Sequence, residues 1–199
     1  EKGGNFEQSD KDILFQEARR IIAEVVPVHK EMQDSGQIEV MTTPYAHPIL
    51  PLILNSNLAS VGDPTAELPE EFFRPLDAIA HLERAVEVYN DNFGRDPVGL
   101  WPAEGAVAQD IVNMVANAGY EWMATGEPVL AKSIGLEGFV RDATDTVTNA
   151  DALYRPYVVQ GGRGDPVTIV FRDLRLSDLI GFEYSGTPGE AAAAAFMRR

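Results

Sequence analysis

Cysteine is absent from the 199-residue sequence. Its absence excludes a disulfide-stapled scaffold, a thiolate metal site and a cysteine nucleophile. Histidine is scarce, with 3 in the chain, and acidic residues outnumber basic ones by 31 to 16, which gives a formal net charge of -15. Because such a chain is repelled by phosphate backbones and by anionic lipid, we expect neither nucleic acid nor a membrane surface as a partner.

Long apolar runs are absent too, and none approaches the ~18 residues of a transmembrane helix. The apolar fraction of 45% and the charged fraction of 24% are typical of a soluble globular protein. The length predicts one domain. Because the first residue is not Met and residues 189–199 form a predicted helix, we expect an internal segment of a longer protein, with one partial domain over residues 1–199.

Helical and extended patterns alternate along the chain. Helices are predicted over 10–32, where Pro27 is expected to kink or end the helix, over 75–93, over 106–118 with Gly119 after its end, and from about Ser177. Strands are predicted over 37–42, 97–101, 120–125, 154–160 and 167–172, the last two joined by a turn at 161–164. Residues 56–74 and 134–153 have the composition of surface loops. The alternation predicts an α/β fold with a parallel sheet.

Reactive side chains follow three of the predicted strands, where α/β folds collect their functional residues. Glu104 follows the strand over 97–101, and Asp173 follows the strand over 167–172. The strand over 37–42 contains Glu39 and is followed by Tyr45 and His47, while Trp101 ends its own strand and Asp178 lies near Asp173. This layout predicts a site that uses paired carboxylates.

Two carboxylates that face one cleft can divide the roles of acid and base, because their surroundings separate their pKa values. In retaining glycoside hydrolysis the pair lies roughly 5 to 5.5 Å apart, and one member attacks the anomeric carbon while the other protonates the leaving oxygen. Trp101 beside Glu104 suits a sugar ring, and the cation of Arg172 is placed to tune the pKa of Asp173.

Structural roles are the alternative interpretation of the same residues. Glu104 and Asp173 suit helix caps or turns, and His47 suits a buried, hydrogen-bonded histidine. Trp101 suits the core, and Glu39 suits a solvent-facing strand position. A metal-dependent hydrolase stays open as a further function, with His47, Glu39, Glu104 and Asp173 as the ligand set.

Three segments of the chain resemble signature regions of family 57 glycoside hydrolases. Residues 36–52 (Gly-Gln-Ile-Glu-Val through His-Pro-Ile-Leu-Pro-Leu) resemble the second region. Residues 99–107 (Gly-Leu-Trp-Pro-Ala-Glu-Gly-Ala-Val) resemble the third, and residues 171–185, which begin Phe-Arg-Asp-Leu, resemble the fourth. The first and fifth regions have no counterpart here, and Gly126 stands where similar sequences often have an acidic residue.

The resemblance implies an incomplete (β/α)7 barrel and a retaining mechanism on α-glucans, without a cofactor or metal. It implies that Glu104 is the nucleophile and that Asp173 is the general acid/base, with Asp178 as a second candidate. The substrate-binding residues that it implies are His47, Tyr45, Glu39, Trp101, Arg172 and Asp178. The form of the third and fourth motifs favours a hydrolase of the amylase or amylopullulanase type over a 4-α-glucanotransferase or branching enzyme. A non-catalytic glucan-binding protein with the same fold is a further alternative.

Overall fold

The computed structural model describes residues 2–162 and 164–199. Its centre is a four-stranded sheet in the order β1-β2-β4-β3, with β1 Gly99–Leu100, β2 Trp122–Gly126, β3 Tyr157–Val159 and β4 Val167–Arg172. β1, β2 and β4 are parallel, and β3 pairs antiparallel with β4 at one edge. The predicted α/β class with a parallel sheet is confirmed, while closure into a (β/α)7 barrel stays a prediction.

Nine α-helices are assigned within the described residues. They are α1 Gln8–Asp34, α2 Leu50–Leu54, α3 Ala59–Gly62, α4 Pro75–Phe93, α5 Val112–Asn117, α6 Glu127–Ser133, α7 Ala150–Leu153, α8 Leu174–Asp178 and α9 Gly189–Phe196. A π-helical turn follows α8 over Leu179–Glu183, and single 3-10 turns lie at Ser56–Leu58, Ala103–Gly105 and Gln109–Ile111. No described helix is long and apolar enough to span a membrane.

Helix α4 has the predicted bounds because both of its ends carry strong local signals. Pro75 is its first residue, where the fixed φ of proline suits a helix and its missing N–H costs no intrahelical hydrogen bond. Gly94 follows the last residue with φ of 74°, in the left-handed conformation that glycine adopts without a steric penalty. The buried face of α4 carries Leu82, Ala85 and Tyr89.

Pro27 is expected from the sequence to kink or end helix α1. The helix runs through Pro27 to Asp34, so the proline does not end it. Residues 19–29 are all exposed. The carbonyl that loses its amide partner at Pro27 therefore faces water instead of a packed neighbour, which keeps the cost of an internal proline low enough for the helix to continue.

The predicted strand over 37–42 is reduced to one parallel bridge between Thr42 and Leu100. The bridge has two hydrogen bonds, from Thr42 N to Gly99 O (3.1 Å) and from Trp101 N to Thr42 O (2.7 Å). Side chains replace the rest of the ladder. The Val40 amide donates to Gln33 Oε1 (2.8 Å), and the Tyr89 hydroxyl donates to the Val40 carbonyl (2.8 Å). The chain still runs parallel to β1, and residues 43–47 reach the carboxyl edge of the sheet.

Three other predicted boundaries shift. The predicted helix over 106–118 is helical only from Gln109, because the left-handed residues Glu104 and Gly105 force an extended step at Ala106. The helix expected from about Ser177 begins at Leu174, since Asp173 caps its first turn. The expected loop over 134–153 contains α7 and a bridge between Arg141 and Val147. The expected turn at 161–164 includes residue 163, which lies outside the described residues.

The core lies between the sheet and helices α2, α4 and α5. Its fully buried members include Leu50, Leu82, Leu100, Ile111, Val115, Tyr120, Met123 and Val167. A second, smaller apolar cluster consists of Leu130, Val147 and Leu153, with Phe139, Tyr157 and Phe171 packed against it. This cluster fixes the chain between α6 and β3 against the carboxyl end of β4. Two polar side chains of that segment, Arg141 and Tyr154, reach the site described next.

Candidate functional site

Carboxylates follow all three parallel strands, at one edge of the sheet. Glu104 follows β1, Glu127 begins α6 directly after β2, and Asp173 follows β4. Neighbouring strands lie about 4.8 Å apart, so the backbones of β1 and β4, on either side of β2, are separated by about 10 Å. Glu104 and Asp173 thus follow the two strands that flank β2, at the same edge of the sheet.

Glu104 sits on a strained turn that presents its side chain to solvent. Its φ of 56° and ψ of 17° are left-handed, and the following Gly105 has φ of 67°. A non-glycine residue in this conformation costs about 1–2 kcal/mol. The turn is fastened to β2, because the buried Thr125 hydroxyl donates to the Gly105 carbonyl at 2.5 Å. The Glu104 side chain is 75% exposed. It does not cap a helix.

His47 lies against Glu104. The Nε2 atom of His47 is 3.0 Å from Glu104 Oε1, and its Nδ1 atom is 3.0 Å from Thr43 Oγ1. Since an ionised carboxylate only accepts, Nε2–H donates to Glu104, and Nδ1 of the neutral ring accepts from the threonine hydroxyl. Ala46 and His47 have φ of 61° and 57°, a second strained turn at this edge. His47 is exposed, unlike a core histidine.

Asp173 has the opposite surroundings, since only 4% of its side chain is exposed. Its Oδ1 atom accepts from the Leu176 amide (2.8 Å), which is the cap of α8. Its Oδ2 atom accepts from the Tyr154 hydroxyl (2.5 Å) and from Arg141 Nη1 (3.0 Å). Burial by itself raises the pKa of Asp173, but the hydrogen bonds from Arg141, Tyr154 and Leu176 outweigh it and leave the pKa below the usual value. Asp173 is therefore both a helix cap and an ionised carboxylate.

Glu127 and Arg141 complete the surroundings of Asp173, and sequence reasoning missed both. Arg141 Nη2 lies 2.6 Å from Glu127 Oε2, and the Leu174 amide lies 3.3 Å from the same oxygen. The rule that found Glu104 and Asp173, a carboxylate directly after a strand, also applies to Glu127. Arg141 has no such signal, because it lies in a segment with the composition of a loop.

Trp101 and Arg172 meet above the end of β2. The guanidinium carbon of Arg172 is 5.8 Å from the Trp101 ring centroid, a cation–π contact. Arg172 pairs with Gly126 in the β2–β4 ladder, and Gly126 has no side chain to separate the two. Arg172 therefore faces Trp101, and the cation beside Asp173 is Arg141.

Tyr45 lines an open groove of about 310 Å³ beside the His47 loop, together with Asp77, Ala80, His81 and Arg84. The Tyr45 amide donates to the His81 carbonyl (3.0 Å), and His81 Nδ1 lies 2.6 Å from the Tyr45 carbonyl. These two bonds fasten the loop to α4. The Arg84 guanidinium carbon is 5.7 Å from the Tyr45 ring centroid. Tyr45 is 48% exposed.

Glu39 and Asp178 lie apart from this group. Glu39 Oε1 accepts from Trp122 Nε1 at 2.6 Å, and Trp122 begins β2, so Glu39 lies at the amino edge of the sheet. Asp178 ends α8, at the opposite end of that short helix from Asp173. Among the residues that the structure describes, no three His, Asp or Glu side chains form a group able to hold a metal ion.

Comparison with known proteins places the chain in a family. The sequence profile of "Glycosyl hydrolase family 57" matches residues 5–199. The chain belongs to glycosyl hydrolase family 57, in agreement with the resemblance of its three segments. No curated protein sequence matches it.

Three solved structures share the fold. A 4-α-glucanotransferase from Thermococcus litoralis is 18% identical with a TM-score of 0.51, over 83% of this chain and 20% of that protein. The α-amylase AmyC from Thermotoga maritima is 18% identical with a TM-score of 0.54, over 85% and 26%. A branching enzyme from Pyrococcus horikoshii is 20% identical with a TM-score of 0.53, over 83% and 27%. The chain thus spans about a fifth to a quarter of the length of these proteins.

Proposed function

We propose that the protein is a retaining glycoside hydrolase of α-glucans, with Glu104 as the nucleophile and Asp173 as the general acid/base. The observation that carries the proposal is the contrast between two carboxylates at one sheet edge. Glu104 is exposed on a strained turn after β1, while Asp173 is buried after β4 among proton donors. Paired carboxylates in unlike surroundings are the requirement for dividing nucleophile from acid.

The proposed reaction has two steps. In the first, ionised Glu104 attacks the anomeric carbon and forms a glycosyl ester, while Asp173 in its protonated form gives its proton to the departing glycosidic oxygen and becomes the carboxylate. In the second, ionised Asp173 takes a proton from water, the resulting hydroxide attacks the anomeric carbon, and Glu104 leaves as a carboxylate. The configuration at the anomeric carbon is retained after two inversions.

Neighbouring side chains support the first step. His47 donates to Glu104 Oε1 and fixes one oxygen of the carboxylate, which leaves the other free to attack. Trp101 offers an aromatic face for the apolar side of a glucose ring, and the Arg172 guanidinium lies beside the Trp101 ring on the β4 side. Tyr45 offers a second exposed ring on the groove beside the His47 loop. An extended α-glucan chain has a place to bind along this edge.

Transglycosylation is the second candidate function, and the open groove at Tyr45 favours it as a place for an acceptor sugar. In that reaction a sugar hydroxyl replaces water in the second step. The solved relatives include a 4-α-glucanotransferase and a branching enzyme as well as an amylase, so the shared fold is compatible with either outcome.

The test is product analysis with the complete protein on soluble starch and maltoheptaose. We expect products shorter than the substrate, and a loss of about 10³-fold or more in kcat for Glu104→Gln, since the carboxamide cannot attack. Glu83→Gln is the matched control, because Glu83 is an exposed residue of α4. Products longer than maltoheptaose would indicate transglycosylation. Full activity in Glu104→Gln would contradict the proposed nucleophile.

A further inference from the structure

Asp173 belongs to a network of four polar side chains that lies beside the exposed part of the site. Arg141 bridges two carboxylates, with Nη1 at 3.0 Å from Asp173 Oδ2 and Nη2 at 2.6 Å from Glu127 Oε2. The Tyr154 hydroxyl donates to Asp173 Oδ2 at 2.5 Å. The exposed fractions of the Arg141, Glu127 and Asp173 side chains are 16%, 12% and 4%.

The charges in this network do not balance. Two carboxylates and one guanidinium leave a net charge of -1 in a region largely removed from water, which is costly. One proton on Asp173 brings the sum to zero and leaves Glu127 and Arg141 as a complete ion pair. Uptake of a proton by Asp173 therefore balances the charge, but it opposes the hydrogen bonds from Arg141 and Tyr154 that hold the carboxylate ionised.

The network is fixed by the fold without a substrate. Glu127 begins α6, Arg141 lies in the bridge with Val147, and Tyr154 directly follows α7. The small apolar cluster of Leu130, Val147 and Leu153 joins these three segments. The four side chains are consequently held at their distances by packing, as a preorganised proton site requires.

Other charged groups near Asp173 are engaged elsewhere. Arg172, its neighbour in the chain, faces Trp101. Asp145 forms an ion pair with Arg175 Nε at 2.6 Å, and Arg175 also contacts Glu183. Arg141, Glu127 and Tyr154 are therefore the ionisable groups that act on the Asp173 carboxylate most directly.

We propose that Arg141, Glu127 and Tyr154 are positioning residues that control the protonation of Asp173, with Glu127 competing against Asp173 for the Arg141 guanidinium. This inference rests on the proposed role of Asp173 as the acid/base. While Asp173 carries the proton for the leaving oxygen, Arg141 pairs with Glu127. Once the proton has moved to that oxygen, Arg141 and the Tyr154 hydroxyl hold the new carboxylate. In the second step a proton from water restores the neutral carboxyl group.

The pKa directions describe the network after the proton has left Asp173. The hydrogen bonds from Arg141 and Tyr154 lower the pKa of Asp173 more than burial raises it. Burial and the neighbouring Asp173 carboxylate raise the pKa of Tyr154 to about 12. The phenol therefore keeps its proton and acts as a donor over the whole working range of pH.

The inference predicts opposite effects for two neighbouring variants. Arg141→Gln removes the cation beside Asp173, so we expect the pKa of Asp173 and the alkaline limb of kcat/KM to rise by about 1 unit or more. Glu127→Gln leaves Asp173 as the one carboxylate paired with Arg141, so the pKa of Asp173 and the alkaline limb of kcat/KM should fall. Tyr154→Phe should raise both, by less than Arg141→Gln. A residue with a purely structural role would lower kcat without moving the limb.

Two measurements on the complete protein test this. One is the ¹³C carboxyl titration of Asp173 by NMR, and the other is the pH profile of kcat/KM on a nitrophenyl maltooligosaccharide. The matched controls are Tyr157→Phe, which loses a hydroxyl bonded to the Ala152 carbonyl, and Arg20→Gln on the exposed face of α1. Both should leave the Asp173 titration in place.

Two results would overturn the inference: an Asp173 titration that ignores all three substitutions, or a shift in the same direction for Arg141→Gln and Glu127→Gln. If Arg141→Gln does not fold, the fall with Glu127→Gln and the rise with Tyr154→Phe still decide the question. A complete protein without any activity on glucans would contradict the proposed function instead. The NMR titration would then test by itself whether Arg141, Glu127 and Tyr154 control the protonation of Asp173.

Discussion

Thr125 holds the turn that presents Glu104, and replacing it with Val tests whether that geometry matters. Thr125 is fully buried, and its hydroxyl donates to the Gly105 carbonyl at 2.5 Å. Val has the same shape without the donor, so the carbonyl loses its partner. An unpaired buried acceptor costs about 1–3 kcal/mol in the free energy of unfolding. For a chain of this size that is a fall in Tm of about 2–12 °C.

The kcat of Thr125→Val should fall by more than the loss of folded protein accounts for. The left-handed backbone of Glu104 stores strain that the Thr125 bond helps to offset. When the bond is lost, the turn relaxes and the carboxylate moves. A displacement of about 1 Å can reduce the rate by about 100-fold, so we expect kcat on a nitrophenyl maltooligosaccharide to fall by about 10- to 100-fold with little change in KM.

Thermal unfolding and steady-state kinetics of Thr125→Val measure the two effects. Thr168→Val, in the neighbouring strand β4, is the matched control and should keep both values near those of the unmodified protein. Wild-type kcat in Thr125→Val would refute the argument that the fastened turn positions Glu104. A fall in kcat of equal size in Thr168→Val would refute its specificity.

Three further predictions concern binding, pH and packing. Tyr45→Ala should raise KM for maltoheptaose more than for maltotriose with little change in kcat, and equal KM changes in steady-state assays would contradict a role in binding the longer chain. The folded-state pKa of Asp173 is below its unfolded value, so its ionised form stabilises the fold above about pH 3.9 and this contribution is lost as the pH falls through the folded pKa. Asp173→Asn should therefore be less stable than the unmodified protein at pH 7, and the difference should narrow as the pH falls below about 3.9. Denaturant melts that differ equally at every pH would exclude this linkage. Gly99→Ala places a methyl group 2.5 Å from the Trp122 ring, so unfolding should become easier by about 1–3 kcal/mol, and an unchanged denaturant midpoint would show that the ring can move away.

Local signals predicted the parts of the fold that depend on few residues. Pro75 and Gly94 mark the ends of α4, and the short buried runs predicted strands where β1, β2 and β4 lie. The strand predicted over 37–42 was wrong except at Thr42, because the backbone groups of Val40 bond to the side chains of Gln33 and Tyr89. Tyr89 is distant in sequence, and no local pattern shows that it reaches Val40.

The candidate site shows the same limit. The strand-end rule predicted Glu104 and Asp173, and applied to β2 it would also have found Glu127. It could not reveal that Glu39 accepts a hydrogen bond from Trp122 at the amino edge of the sheet, since the residue pattern of a strand does not show at which edge its side chains lie. It could not find Arg141, which enters the site only through the packing of Val147 and Leu153.

The central claim is that Glu104 forms the covalent bond to the sugar. The most direct measurement uses the complete protein with Asp173→Ala, in which the second step is slow, and an α-maltosyl fluoride, whose leaving group needs no acid. Peptide mass spectrometry would then locate the maltosyl group. The account predicts the adduct on Glu104. An adduct on a different residue, or fluoride release with inversion at the anomeric carbon and no adduct, would contradict it.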